Sequence, residues 1–139
     1  MLTLRCTRKL LKFLHADDHD RAAGVTTQLG DWYGNLFFTR DRRLVICVSE
    51  RSLLPVFVEA KDFSTFAVRF QAAVRLALEC VGVSTNSIDN ELREMLTISV
   101  GTTKSRKCCR IIERAELLSA LFYGSAIAGR FNRACQRDR

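Results

Sequence analysis

The sequence has 139 residues, of which 47% are hydrophobic and 27% are charged, a balance typical of one globular domain rather than a disordered or fibrous chain. Its net charge of +7 at pH 7 is unevenly placed. Residues 1–103 carry 13 Lys and Arg against 12 Asp and Glu, a net +1, whereas residues 104–139 carry 9 against 3, a net +6. The charge therefore argues for a nucleic-acid or membrane partner only through the final segment.

Nothing in the sequence indicates secretion, a disulfide framework or a metal site. No apolar segment follows a basic start, and the six cysteines show neither C-x-x-C pairs nor zinc-finger spacing. Cys6, Cys47 and Cys80 lie in apolar segments, where a thiol behaves as a small hydrophobic side chain. His15 and His19 have the i, i+4 spacing of some zinc ligands, but their polar surroundings favour a solvated linker. We expect a cytoplasmic protein without disulfides, metals or cofactors.

The chain begins with a predicted strand and a predicted short helix. In residues 1–6 apolar and polar side chains alternate, which is the period of a half-buried strand. Thr7 is placed to cap a helix over residues 7–15, because its hydroxyl can accept a hydrogen bond from a first-turn N–H group. The apolar stripe of that helix is formed by Leu10, Leu11 and Leu14.

Three consecutive strands are predicted in the middle of the chain. Residues 32–38 and 44–48 are apolar runs separated by a short polar segment with an Asp, which predicts a hairpin. A third strand is predicted over residues 53–58. Pro55 lacks the N–H group that a ladder needs, so we place this strand at an edge of the sheet.

Residues 62–81 give the clearest helix prediction. Phe and other apolar residues recur there at spacings of three and four, and Gly82 suits the left-handed position that ends a helix. A second helix is predicted over residues 87–96 with Ser87 as its cap. A short strand is predicted over residues 97–100.

These elements predict an α+β fold class. The predicted sheet is small and mainly antiparallel, with strands near residues 1–6, 32–38, 44–48, 53–58 and 97–100 and covering helices near 7–15, 62–81 and 87–96. The sequence contains no nucleotide-binding glycine pattern, no nucleophile elbow and no H-E-x-x-H motif. Its longest uncharged run, residues 117–129, is too short to span a membrane.

Four segments stand out as a set: Leu4–Leu10 (LRCTRKL), Leu29–Leu36 (LGDWYGNL), Val48–Pro55 (VSERSLLP) and Gly101–Arg106 (GTTKSR). Together they resemble an uncharacterised bacterial family, one of the "domain of unknown function" families of small intracellular proteins. The L-G-D-W-Y-x-N-L segment is the most distinctive of the four. The resemblance implies an α+β domain over residues 1–106 and no established activity.

Beyond Arg106 the resemblance stops. Members of that family look as though they continue Ser-Val-x-Gly-Ser-Met/Leu-Asn-Asp/Glu, whereas Lys107–Ala115 reads KCCRIIERA. Codons exist for those nine residues that, read from the second base of the first codon, encode Ser-Val-Ala-Gly-Ser-Leu-Asn-Glu. We therefore expect residues 107–139 to be an atypical basic tail, out of frame and poorly packed. The alternative is that the tail is the natural end of the protein.

The family-like segments also supply the candidate binding residues. These are Thr7, Lys9, Asp31, Trp32, Asn35, Glu50, Arg51, Thr103 and Arg106. Their convergence is expected if the first strand neighbours the last. Each also has a structural explanation, such as Thr7 as a helix cap and Trp32 as a core residue. The first hypothesis for function is a small cytoplasmic binding domain whose partner is a protein or a nucleic acid.

Two other functions remain open. One is an enzyme acting on a phosphorylated or acidic small molecule, with Lys9, Arg51 and Arg106 holding the anion. Asp31 or Glu50 would then be its general base. The other is binding of a nucleic acid or a membrane surface through the basic tail. We favour the first hypothesis over an enzyme, because no motif fixes the geometry of a catalytic site.

Overall fold

The computed structural model describes residues 1–15, 24, 26–38, 42–103, 110 and 112–114. Its elements are β1 (Leu2–Cys6), α1 (Arg8–Leu14), β2 (Trp32–Phe38), β3 (Arg43–Ser49), β4 (Pro55–Glu59), a 3-10 turn (Phe63–Thr65), α2 (Phe66–Cys80), α3 (Thr85–Glu94) and β5 (Ile98–Thr102). One sheet with helices outside it confirms the predicted α+β class.

The five strands form one sheet in the order β4-β3-β2-β1-β5. The strands β2, β3 and β4 are antiparallel, with Trp32 opposite Ser49 at one end of the hairpin and Phe38 opposite Arg43 at the other. This confirms the predicted hairpin and the edge position of Pro55. The strand β1 lies between β2 and β5 and is parallel to both, which makes the sheet mixed rather than mainly antiparallel.

The ends of the helices follow from local hydrogen bonding. Thr7 caps α1 as predicted, since its Oγ1 accepts a hydrogen bond from the Leu10 N–H at 3.4 Å. Gly82 follows α2 with φ +82°, the left-handed conformation that glycine adopts at low cost. The helix α3 begins at Thr85, before the predicted Ser87, because Ser84 takes the cap position and its carbonyl accepts from the Ile88 N–H at 3.0 Å.

The first face of the sheet carries the main hydrophobic core, under α1, α2 and α3. Phe70 packs edge-on against Trp32 with ring centroids 5.1 Å apart and stacks on Phe66 at 5.9 Å. The helix predicted to cover the sheet therefore does so. Gly34 lies where α1 crosses β2, and a Cβ atom there would come within 2.8 Å of Leu10 Cδ2. The sheet contributes Leu2, Leu4, Cys6, Trp32, Leu36, Val45, Cys47, Val56 and Val58 to this core.

The second face of the sheet carries a smaller core. Tyr33, Ile46, Val48 and Ile112 form a buried cluster against which Phe57 packs. Ile112 is 2% exposed, so the segment after β5 contacts the sheet at this residue. Most of residues 107–139, and with them the expectation of a poorly packed tail, lie outside the described residues.

Two further observations concern the described part of the chain. Cys6 and Cys47 are buried free thiols and Cys80 is an exposed one. None of the described helices combines the length and the apolar composition that crossing a bilayer requires.

Candidate functional site

Three predicted binding residues lie side by side where the parallel strands end. Because β1 pairs with both β2 and β5, the register places Thr7 next to Asn35 on one side and next to Thr103 on the other. The Thr7 hydroxyl donates to Asn35 Oδ1 at 2.7 Å, and the Thr103 N–H donates to the Cys6 carbonyl at 3.1 Å. We call Thr7, Asn35 and Thr103 the carboxyl-end row.

The three side chains of the carboxyl-end row differ in whether their oxygen atoms have a hydrogen-bond partner. Thr7 Oγ1 also accepts from the Leu10 N–H, and Asn35 Oδ1 also accepts from the Leu36 N–H at 2.9 Å. The Thr103 hydroxyl oxygen is buried and has no hydrogen-bond partner among the described residues. Since buried hydroxyls are nearly always paired, this one marks a place for a ligand atom or a water molecule.

The described segments that come after β1 and after β5 pack on opposite faces of the sheet. After β1 it enters α1, whose Leu10 and Leu14 belong to the first-face core. After β5 it reaches Ile112 in the second-face core. Where neighbouring parallel strands send their connections to opposite sides, a crevice forms at their carboxyl ends, and α/β proteins bind ligands there. The carboxyl-end row lies at the carboxyl ends of β1 and β5.

A second polar group lies beside the carboxyl-end row, toward the start of β2. Arg5 Nε donates to Asp31 Oδ2 at 2.6 Å, in an ion pair whose side chains are 25% and 6% exposed. The Tyr33 hydroxyl donates to Glu50 Oε1 at 3.3 Å, and the Glu50 N–H donates to the Asp31 carbonyl at 2.8 Å. Asp31 Oδ1 is buried without a hydrogen-bond partner among the described residues. This carboxylate therefore retains unused acceptor capacity.

Both polar groups belong to the same half of the second face. Strand alternation and register place six polar side chains on this half of the second face: Thr3, Arg5, Thr7, Asp31, Asn35 and Thr103. We call this set the polar half-face. The other half of the second face, formed by β3 and β4, is apolar and carries Ile46, Val48 and Phe57.

Three other predicted site residues lie elsewhere. The Lys9 ammonium lies 4.6 Å from the centroid of the Phe38 ring, beyond the far end of β2. Arg51 Nη1 donates to the Gln28 carbonyl at 3.3 Å, next to the start of β2. At roughly 3.3 Å per strand residue, the two ends of β2 beside which these cations lie are about 20 Å apart. Trp32 lies in the first-face core, which is its structural explanation.

The arrangement proposed for an enzyme is not assembled among the described residues. Asp31 and Glu50 are neighbours, but Lys9 lies at the opposite end of β2 from both. Arg106, the third predicted cation, lies outside the described residues. In the parts of the chain that the structure describes, no three His, Cys, Asp or Glu side chains are grouped to hold a metal ion.

The two buried thiols are unsuited to nucleophilic chemistry. Burial raises the pKa of Cys6 from 9.0 to about 12. Burial and the neighbouring Cys6 raise the pKa of Cys47 well above 9.0. Because the thiolate is the reactive form, these side chains act as packing groups of the core.

Sequence reasoning missed two residues that organise the polar half-face. The alternation in residues 1–6 places Arg5 on the polar side of a strand and says nothing more of it. Its ion pair depends on β2 being the neighbour of β1. Glu91 is 6% exposed and accepts from the N–H groups of Gln28 and Leu29 at 2.9 and 3.0 Å. It thereby holds the loop that precedes Asp31. A signal for Glu91 existed, because it shares the inner face of α3 with Ile88.

A known family matches most of the chain. The family described as "Domain of unknown function (DUF6933)" matches residues 3–129. Searches of the curated proteins and of the solved structures gave no match. The family match continues past Arg106, where we expected the resemblance to stop. A change of reading frame after Arg106 stays a prediction, which the codons for Lys107–Ala115 would test.

Proposed function

The chain belongs to the family "Domain of unknown function (DUF6933)", and we propose that it is a small cytoplasmic binding domain whose ligand docks at the carboxyl-end row. One observation carries this proposal. Thr7, Asn35 and Thr103 come from three family-like segments far apart in the sequence, and the sheet places them next to one another. The cytoplasmic location rests on the free, buried thiols of Cys6 and Cys47.

The chemistry of the carboxyl-end row favours an uncharged, hydrogen-bonding ligand group. The row offers the Thr103 hydroxyl, which can both donate and accept, beside the Thr7 hydroxyl and the Asn35 carboxamide, whose oxygens are already hydrogen-bonded within the fold. Among the residues that the structure describes, the cations nearest the row are engaged in other contacts, since Arg5 is paired with Asp31 and the Lys9 ammonium lies over Phe38. A backbone or side-chain amide of a polypeptide fits this set of groups better than a phosphate does.

A protein partner is favoured over a nucleic acid by the distribution of charge. Residues 1–103, which contain the whole row, carry a net charge of only +1. Nucleic-acid binding draws most of its affinity from Lys and Arg that neutralise phosphates. The described domain lacks that excess of positive charge, so we propose a polypeptide as its partner.

A random peptide library displayed on phage tests this proposal. The full chain is the bait, and the enriched peptides are synthesised and titrated against Asn35→Leu, Thr103→Val and the wild type. We expect selected peptides to lose at least tenfold in affinity for both variants, because each removes hydrogen-bonding groups from the row. Thr85→Val, an exposed threonine at the start of α3, is the matched control and should bind as the wild type does.

Three results would contradict the proposal. The first is a library that yields no binding peptide. The second is a set of peptides that bind Asn35→Leu and Thr103→Val as tightly as the wild type. The third is a set of peptides that lose affinity equally for Thr85→Val, which would place the binding surface elsewhere.

A further inference from the structure

The polar half-face has two buried acceptor atoms that nothing in the described part of the chain uses. Thr103 Oγ1 lies in the carboxyl-end row, and Asp31 Oδ1 lies toward the start of β2. Between them along the strands, Gly101 of β5 pairs with Arg5 of β1 and faces the same side of the sheet. A Cβ atom on Gly101 would meet no heavy atom of the described residues within 4 Å. The described side chains therefore leave space on β5 between the two unpaired atoms.

Asp31 is the buried acceptor of this surface and is held rigidly. Its side chain is 6% exposed, and Arg5 Nε donates to Oδ2 alone, at 2.6 Å. The loop before Asp31 is fixed by Glu91, whose carboxylate accepts from the N–H groups of Gln28 and Leu29. A buried carboxylate oxygen without a partner costs free energy, and an N–H group of a ligand would remove that cost. Because the acceptor is already in place, binding there needs little reordering of the loop.

A second carboxylate lies next to Asp31. The Glu50 N–H donates to the Asp31 carbonyl at 2.8 Å, and Glu50 Oε1 accepts from the Tyr33 hydroxyl at 3.3 Å. Glu50 is exposed and takes part in none of the ion pairs among the described residues. The neighbouring Arg51 donates to a carbonyl of the loop before β2, at 3.3 Å. The two carboxylates therefore share one paired guanidinium, that of Arg5, and their excess negative charge is complementary to a cation.

We propose that Asp31 and Glu50 form a second subsite, which binds a basic side chain, Lys or Arg, of the polypeptide that docks at the carboxyl-end row. This inference rests on the proposed function, because it assigns the side-chain chemistry of the same ligand. An ammonium or guanidinium group carries several N–H donors, so one group can pair with the exposed Glu50 and with Asp31 Oδ1. Asp31 precedes Asn35 by four residues, about 13 Å along the strand, which an extended peptide spans with about four residues of its own.

A double-mutant cycle with the phage-selected peptides tests the subsite on the full chain. We expect the peptides that need Thr103 to carry a Lys or an Arg. Replacing that Lys by norleucine, or that Arg by citrulline, should weaken binding to the wild type at least tenfold. The same replacement should change binding to Glu50→Gln less than twofold, because this variant lacks the charge that the cation meets. Glu79→Gln, which removes an exposed carboxylate from α2, is the matched control and should show the full tenfold loss.

Gly101→Val tests whether the peptide crosses the space on β5. Gly101 is not among the glycines with positive φ, and valine suits a strand, so the midpoint of thermal unfolding should stay the same or rise. The added side chain occupies the space between the two subsites, so peptide affinity should fall at least tenfold. A variant that binds the peptides as the wild type does would overturn the inference, and so would a lowered midpoint, which would show that the space is already filled.

The outcomes of the cycle separate this inference from the proposed function. Peptides that depend on Thr103 but bind equally well with and without a basic residue overturn the inference and leave the proposed function standing. A basic residue whose effect is as large in Glu50→Gln as in the wild type does the same. Peptides whose basic residue is coupled to Glu50, but which bind Thr103→Val and Asn35→Leu as tightly as the wild type, support the acidic subsite and overturn docking at the carboxyl-end row.

Discussion

The two faces of the sheet differ in how polar their side chains are and in what covers them. The first face is apolar across its width and lies under three helices, and Phe70, Trp32 and their neighbours are buried within it. The second face is divided into an apolar half under Ile112 and the polar half-face. Three buried side-chain N and O atoms have no hydrogen-bond partner among the described residues. Asp31 Oδ1 and Thr103 Oγ1 lie on the polar half-face, and Trp32 Nε1 lies in the first-face core.

This difference separates stability from function. A domain of this size draws its stability mainly from apolar burial, which the first face supplies. A buried polar atom with an unmet hydrogen bond costs free energy, so the two such atoms on the polar half-face support a ligand site there. We therefore propose that the first face stabilises the fold and that the polar half-face binds the ligand.

The largest expected effect is the loss of an aromatic ring from the first face. Phe70 is fully buried and contacts both Trp32 and Phe66. Phe70→Ala should lower the free energy of unfolding by about 3–5 kcal/mol, measured by chemical denaturation with circular dichroism. Val68→Ala, on the exposed side of the same helix, should change it by less than about 0.5 kcal/mol. Similar losses for the two variants would remove the basis for calling the first face the core.

The next largest effect is expected where Ile112 packs on the second face. Ile112 is 2% exposed and packs with Tyr33, Ile46 and Val48. Ile112→Ala should lower the free energy of unfolding by about 2–4 kcal/mol, because it leaves a cavity over the sheet. Glu113→Ala, at the exposed neighbouring residue, is the control and should cost less than about 0.5 kcal/mol. Equal, small losses would show that the segment after β5 does not stabilise the domain.

The reactivity of the cysteine thiols measures how far solvent reaches into the first-face core. With a pKa of about 12 instead of 9.0, Cys6 holds roughly a thousandfold less thiolate than an unperturbed thiol near pH 8. Iodoacetamide followed by peptide mapping should label the exposed Cys80 of the native protein and leave Cys6 and Cys47 unmodified. All three should react in denaturant. Native labelling of Cys6 at the rate of Cys80 would show that solvent reaches the core.

The raised pKa of Cys6 also predicts that the protein loses stability at alkaline pH. The pKa of Cys6 is higher in the folded state than its ordinary value of 9.0, so the folded protein favours the protonated thiol. Its contribution to stability is complete below pH 9.0 and is lost as the pH rises toward 12. Replacing Cys6 by Ala should therefore flatten the decline of stability over that range.

Local patterns predicted the elements of the fold, but not the neighbours of β1. The spacing of apolar residues in 62–81 identified α2 and its buried face, and the polar break between two apolar runs identified the β2–β3 hairpin. The parallel pairing of β1 depends on contacts between residues far apart in the chain. Alternation in residues 1–6 reports which side chains are buried, and it carries no information about which strands lie alongside.

The candidate site was predictable to the same extent. Thr7, Asn35 and Thr103 were candidates from their segments, and their meeting depended on the first and last strands being neighbours. The pairing of Arg5 with Asp31 lay beyond prediction, because it follows from the register between two strands separated by a long connection.

The unfolding free energy of Thr103→Val tests the central claim most directly. Valine has nearly the shape of threonine and lacks the buried hydroxyl that finds no described partner. If that hydroxyl serves a ligand rather than the fold, the variant should be as stable as the wild type or up to about 2 kcal/mol more stable. A loss of more than about 1 kcal/mol would contradict the account, because it would show that the hydroxyl is already bonded within the folded protein.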